Sequence, residues 1–85
     1  MIKKEYPHSF RVIIEGTNRD GYHGFVPSLL SVHTQGKTID EAKKNLREAI
    51  KCHIQGLMKD NIQIPSEENT FESVELFSEK DLVFA

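Results

Sequence analysis

Apolar residues recur every second position in the first third of the chain and about every 3.6 positions in its middle, and the change falls at Gly36. Phe10, Val12 and Ile14 alternate through Ser9–Glu15, a stretch rich in β-branched residues, and predict a strand with these three on one face. Gly16–Gly21 is a turn cluster whose Asp20-Gly21 end supplies the positive φ that a hairpin needs. Tyr22–Pro27 reads as the returning strand, with Tyr22, Gly24 and Val26 on one face and His23 and Phe25 on the other. Pro27 has no N–H to give to a ladder and marks the end of that strand. Ser31–Gln35 predicts a short third strand, closed by Gly36.

The spacing Thr38-x-x-Glu41 predicts a capping box, in which the threonine hydroxyl accepts from the Glu41 N–H and the Glu41 side chain reaches back to the N–H of Thr38. From Ile39 to about Lys59 the pattern is helical, and Ile39, Leu46, Ile50, His53 and Leu57 fall within about 40° of one direction. Such a helix spans roughly 30 Å, long enough to cross a small sheet. Asp60-Asn61 ends it and Pro65 blocks its continuation. Thr70–Phe77 reads as a fourth strand. The predicted order is β-β-β-α-β, a single α+β domain over residues 1–85, with an antiparallel meander covered on one face by one long helix.

Composition adds few constraints. The chain has 85 residues, with 38% hydrophobic and 28% charged, which suits a globular domain near the small end of what one core can stabilise. Cys52 is the single cysteine, so no internal disulfide reinforces it and self-association is expected to help. The apolar residues Leu82, Val83 and Phe84 have no evident place in a four-strand core and are expected to bury against another copy, giving a dimer or tetramer. No apolar run reaches membrane-spanning length, and "MIKKEYPHS" lacks a signal-peptide core, so a cytoplasmic protein is expected. Charge is unevenly placed: residues 1–59 carry 10 Lys/Arg against 6 Asp/Glu, and residues 60–85 carry 1 against 7.

Candidate chemistry is sparse. His8, His23, His33 and His53 lack the paired spacing of zinc sites; His23 and His33 become neighbours if their strands pair, but two ligands do not make a site. His53, on the apolar face of the helix, reads as a core or interface histidine. Cys52 points away from that face and reads as an ordinary surface thiol. Glu15 and Asp20 lack further acids to complete a nuclease-type cluster, and there is no phosphate-binding loop, dinucleotide fingerprint or nucleophile elbow. Neither catalysis nor a metal or other cofactor is therefore expected. Lys43, Lys44, Arg47 and Lys51 form a basic flank on the helix, laced by the i,i+4 pairs Asp40–Lys44 and Lys44–Glu48. With no aromatic residues among them, they read as a solvated face rather than a nucleic-acid contact.

Several of these pieces, in this order, resemble the HicB-like antitoxin family. They are Asp20-Gly21-Tyr22, Val26-Pro27, Thr34-Gln35-Gly36, the Thr38–Ala42 cap, Asn45–Ile50 within the helix, and Ile64-Pro65. The likeness covers residues 9–66. It implies a truncated RNase H-like β-β-β-α-β fold without nuclease acids. It also implies a non-enzymatic role, in which the protein neutralises a small basic HicA-type mRNA-cleaving toxin by masking its active surface. Two features depart from the family pattern. The usual Pro-Asp-Leu-Pro-Gly-Cys is here Pro27-Ser28-Leu29-Leu30-Ser31-Val32, and the roughly 20 residues after Pro65 read as strand rather than as a DNA-binding domain. Direct operator binding is accordingly not expected. A toxin that attracts RNA has a basic working surface, so the acidic run Glu67, Glu68, Glu72 and Glu75 is expected to face it. The alternative is that these carboxylates only pair with the chain's own Lys43, Arg47 and Lys51, or sit in water. A second reading of the whole is a stand-alone homo-oligomeric structural or small-ligand module with no toxin partner.

Overall fold

The computed structural model describes residues 8–83. Strands β1 (Ile13–Thr17), β2 (Gly21–Val26) and β3 (Leu29–Gly36) form an antiparallel meander in the order β1-β2-β3, and helix α1 (Ile39–Lys59) follows. The register pairs Ile14 with Gly24 and Gly24 with Thr34, so positions of like parity line one face. A register shift between Phe25 and Val26 takes up the tight β2–β3 turn. The first three strands and the helix form as expected, with moved ends in β1 and β3. β1 starts and ends later than Ser9–Glu15, and β3 starts two residues before Ser31.

The helix lies on the face carrying Val26, Leu29 and Val32, and buries Ala42 and Leu46 against them, with Phe10, Ala49, Ile50 and Ile54 packed around the rim. Gly24 admits this close approach: a Cβ there would stand 3.2 Å from Leu46 Cδ2. Of the predicted apolar stripe, Leu46 is the centre at 1% exposed, whereas Ile39 lies half in solvent at the helix start, beyond the sheet's cover.

The N-cap forms as expected on one side: Thr38 Oγ1 accepts from the Glu41 N–H at 3.0 Å. The return contact differs, since Glu41 Oε1 accepts from the N–H of Lys37 at 3.3 Å rather than from Thr38. At the far end Asn61 takes φ 56°, with Asn61 N–H donating to Met58 O and Ile62 N–H to Leu57 O. This paired closure of a helix on a left-handed residue satisfies carbonyls that would otherwise lack partners.

The fourth strand is not formed. Thr70–Phe77 has no ladder partner among the described residues, and Phe71, Val74 and Leu76 are 91%, 87% and 89% exposed. A strand needs a neighbour, and this stretch runs out from the body as an arm ending in a 3-10 turn, Glu79–Leu82, capped by Ser78. The chain is correspondingly long, 64 × 34 × 22 Å with a radius of gyration of 17.4 Å. A compact chain of this length would have a radius of about 12 Å.

Candidate partner-binding surface

The four glutamates of the acidic run do not share one role. Glu67 sits where the chain, after the helix, returns past Ile64-Pro65 to the residues ahead of β1. Its Oε2 accepts the Arg11 backbone N–H at 2.8 Å and its Oε1 accepts the Ser28 hydroxyl at 2.7 Å, while Arg11 Nε lies 3.6 Å away. The side chain is only 8% exposed. Glu72, further along the arm, is exposed and paired with the guanidinium of Arg11. The chain does supply a cation to its own acidic segment, but it is Arg11 and not Lys43, Arg47 or Lys51. Glu68 and Glu75 have no cation beside them among the described residues. Glu75 accepts the Ser73 hydroxyl at 3.2 Å.

Glu67 therefore fixes where the arm leaves the body, with both carboxylate oxygens engaged within the chain. Its position depends on Ser28, whose hydroxyl donates to it; a carboxylate at 28 would instead repel Glu67. That hydroxyl first, then the N–H and charge of Arg11, hold the Glu67 carboxyl below its usual range, against partial burial that works the other way. A carboxyl with a lowered folded-state pKa stabilises the fold fully above its ordinary value of 4.5 and loses that contribution as pH falls through the lower folded-state value. Glu67→Gln is accordingly expected to cost about 1.5–3 kcal/mol at neutral pH. The gap to the unsubstituted protein should close on acidification below the ordinary carboxyl range. Urea titrations at neutral and acid pH read this directly; a gap independent of pH would contradict the ionised anchor.

The opposite, uncovered face of the sheet gathers side chains that the turns bring together. His23 and Phe25 stack at 5.9 Å between ring centroids, and His23 and His33 lie 5.7 Å apart, as strand pairing predicted. Among the described residues no three His, Cys, Asp or Glu side chains converge as metal ligands would. Among the same residues no helix is long and apolar enough to cross a membrane. Leu82 and Val83 are exposed, and Phe84 lies outside the described residues. Sequence reading missed the Arg11–Glu67–Ser28 anchor. It also missed a groove beside β1, where the helix cations rim an apolar floor of Phe10, Val12, Ile50 and Ile54. The signal for the groove was the conjunction of the basic flank with the apolar face on one helix.

The fold is a small meander under one helix that presents carboxylates and apolar side chains on an extended arm. The chain belongs to the HicB-like antitoxin family of bacterial toxin–antitoxin systems, whose profile matches residues 10–82. It is similar to a UPF0150 protein of Synechocystis sp., 36% identical over 61 residues, which covers 72% of this chain and 77% of that protein. A UPF0150 protein of Thermoplasma acidophilum is 44% identical over 54 residues, 62% of this chain and 78% of the relative. An uncharacterised 14.9 kDa protein of Haemophilus phage HP1 is 38% identical over 56 residues, 66% of this chain and 41% of its own length. No solved structure matches the chain.

Proposed function

We propose that this chain is an antitoxin-like, non-catalytic binding protein of the cytoplasm that neutralises a small HicA-type mRNA-cleaving toxin by masking its active surface. The observation that carries the reading is family membership across residues 10–82. Glu68 and Glu75, with no cation beside them among the described residues, support it, because a surface that attracts RNA is basic and is met by acidic groups. Glu67 contributes indirectly, by fixing where the arm that carries Glu75 leaves the body.

The test is co-expression with a short basic protein encoded next to this one, scored for rescue of growth, followed by titration of the purified pair at two ionic strengths. Glu68→Lys combined with Glu75→Lys is expected to slow association about tenfold at low salt and to flatten its salt dependence, with circular dichroism unchanged. Unchanged association kinetics in the folded double variant would remove these residues from the interface. The second reading, a homo-oligomeric module without a toxin, is favoured by the exposed apolar side chains of the arm, which call for cover whether or not a toxin exists. Failure of every adjacent basic protein to bind would select it.

A further inference from the structure

Two surfaces lack partners among the described residues, and they complement each other. One is the outer side of β1 with the groove beside it. The strand order leaves β1 at an edge, with no strand on its outer side among the described residues, so its outward N–H and C=O groups lack a ladder. The groove is lined by Phe10, Val12, Ile50 and Ile54, with His8 and Ser9 at one end, and the cations Lys43, Lys44, Arg47 and Lys51 outnumber the single carboxylate, Glu48, around it. The other surface is the arm, Thr70–Phe77. Its sequence alternates for a strand, with Glu72, Val74 and Leu76 on one face and Phe71, Glu75 and Phe77 on the other. Eight extended residues reach about 26 Å, more than the five-residue length of β1.

We propose that the arm of one copy adds as a strand to the β1 edge of a second copy, and reciprocally, so that a homodimer supplies the fourth strand each protomer lacks. Val74 and Leu76 enter the apolar floor of the partner's groove, and Glu72 meets the cations around it. The pairing of Glu72 with Arg11 is an exposed one and costs little to exchange. Phe71 and Phe77 then fall on the uncovered face, in continuity with the apolar side chains of Ile13 and Phe25, and Glu75 remains outward. The arm does not occupy its own groove in the protomer, since its apolar side chains are in solvent. A nucleic acid suits the groove less well: the floor is apolar with a single aromatic ring, and the same chain carries the acidic, apolar strand that matches it. This assembly does not depend on the toxin reading and stands or falls separately.

Sedimentation equilibrium on the full chain at tens of micromolar is expected to give a dimer, and Val74→Asp with Leu76→Asp a folded monomer, because both side chains are exposed in the protomer. A monomer for the unsubstituted chain, or a double variant that dimerises equally well, overturns the proposal. The route is read by disulfide formation in a Cys52→Ser background. One preparation carries Val74→Cys and the other Lys51→Cys, and mixing is expected to yield a cross-linked heterodimer. Cross-linking found only when both substitutions lie in one chain means that the arm closes on its own groove, which overturns exchange between copies. A single-stranded RNA probe that binds the unsubstituted chain and the double variant alike would show an open groove, and equally overturns it.

Discussion

Leu46→Ala is expected to destabilise the domain by about 2–5 kcal/mol, at the upper end of that range for this site. Leu46 is the largest fully buried side chain, and it packs over a glycine. Gly24 has no side chain that could move to fill the space, and the hydrogen-bonded strands on either side of it resist collapse, so the cavity persists. Thr38→Ala provides the scale. It removes one acceptor at the helix start and is expected to cost about 1 kcal/mol. Urea denaturation of both variants checks the ranking. Thr38 proving the more damaging site would mean that the helix is held by its end rather than by its buried face.

Gly36→Ala is expected to cost about 3 kcal/mol, the upper range for overpacking, because the obstruction is backbone. A Cβ at this position would meet Ala42 N at 2.5 Å, Ala42 Cα at 2.9 Å and Glu41 C at 3.0 Å. The first helical turn can yield only by loosening the Thr38 cap and the Asn45 side-chain amide, which donates to Gln35 O at 2.9 Å. Gly56→Ala is the matched control. It lies in the same helix with nothing within 4 Å of its Cβ, so there the substitution is expected to stabilise by about 1 kcal/mol through helix propensity. Thermal melts followed by circular dichroism should therefore move in opposite directions. Two shifts of the same sign would show that the helix start does not press on the end of β3.

The division of labour among the glutamates bears on how such a domain meets a partner. A carboxylate held against Arg11 and Ser28 orients the arm, Glu72 pairs with Arg11, and Glu68 and Glu75 have no cation beside them among the described residues. Charge reversal at Glu67 would therefore confuse a folding effect with a binding effect. Glu68 and Glu75 are the positions where the two separate.

What the sequence determined by itself is local. The alternation of Phe10, Val12 and Ile14, the Asp20-Gly21 turn, the Thr38 cap and the apolar stripe centred on Leu46 place three strands and one helix. Each of these signals is written in neighbouring residues, within a turn of helix or a two-residue period. The family likeness was legible for the same reason, since its motifs are turns and caps. Only the tertiary structure decided the rest. Thr70–Phe77 has the composition of a strand, but a strand exists only beside another, and no neighbour lies beside it among the described residues. Glu67 resembles its acidic neighbours in sequence, yet it lies against Arg11, 56 positions away, and Ser28, 39 positions away. Long-range contacts of that kind follow from where the helix delivers the chain after crossing the sheet, and no local pattern encodes them.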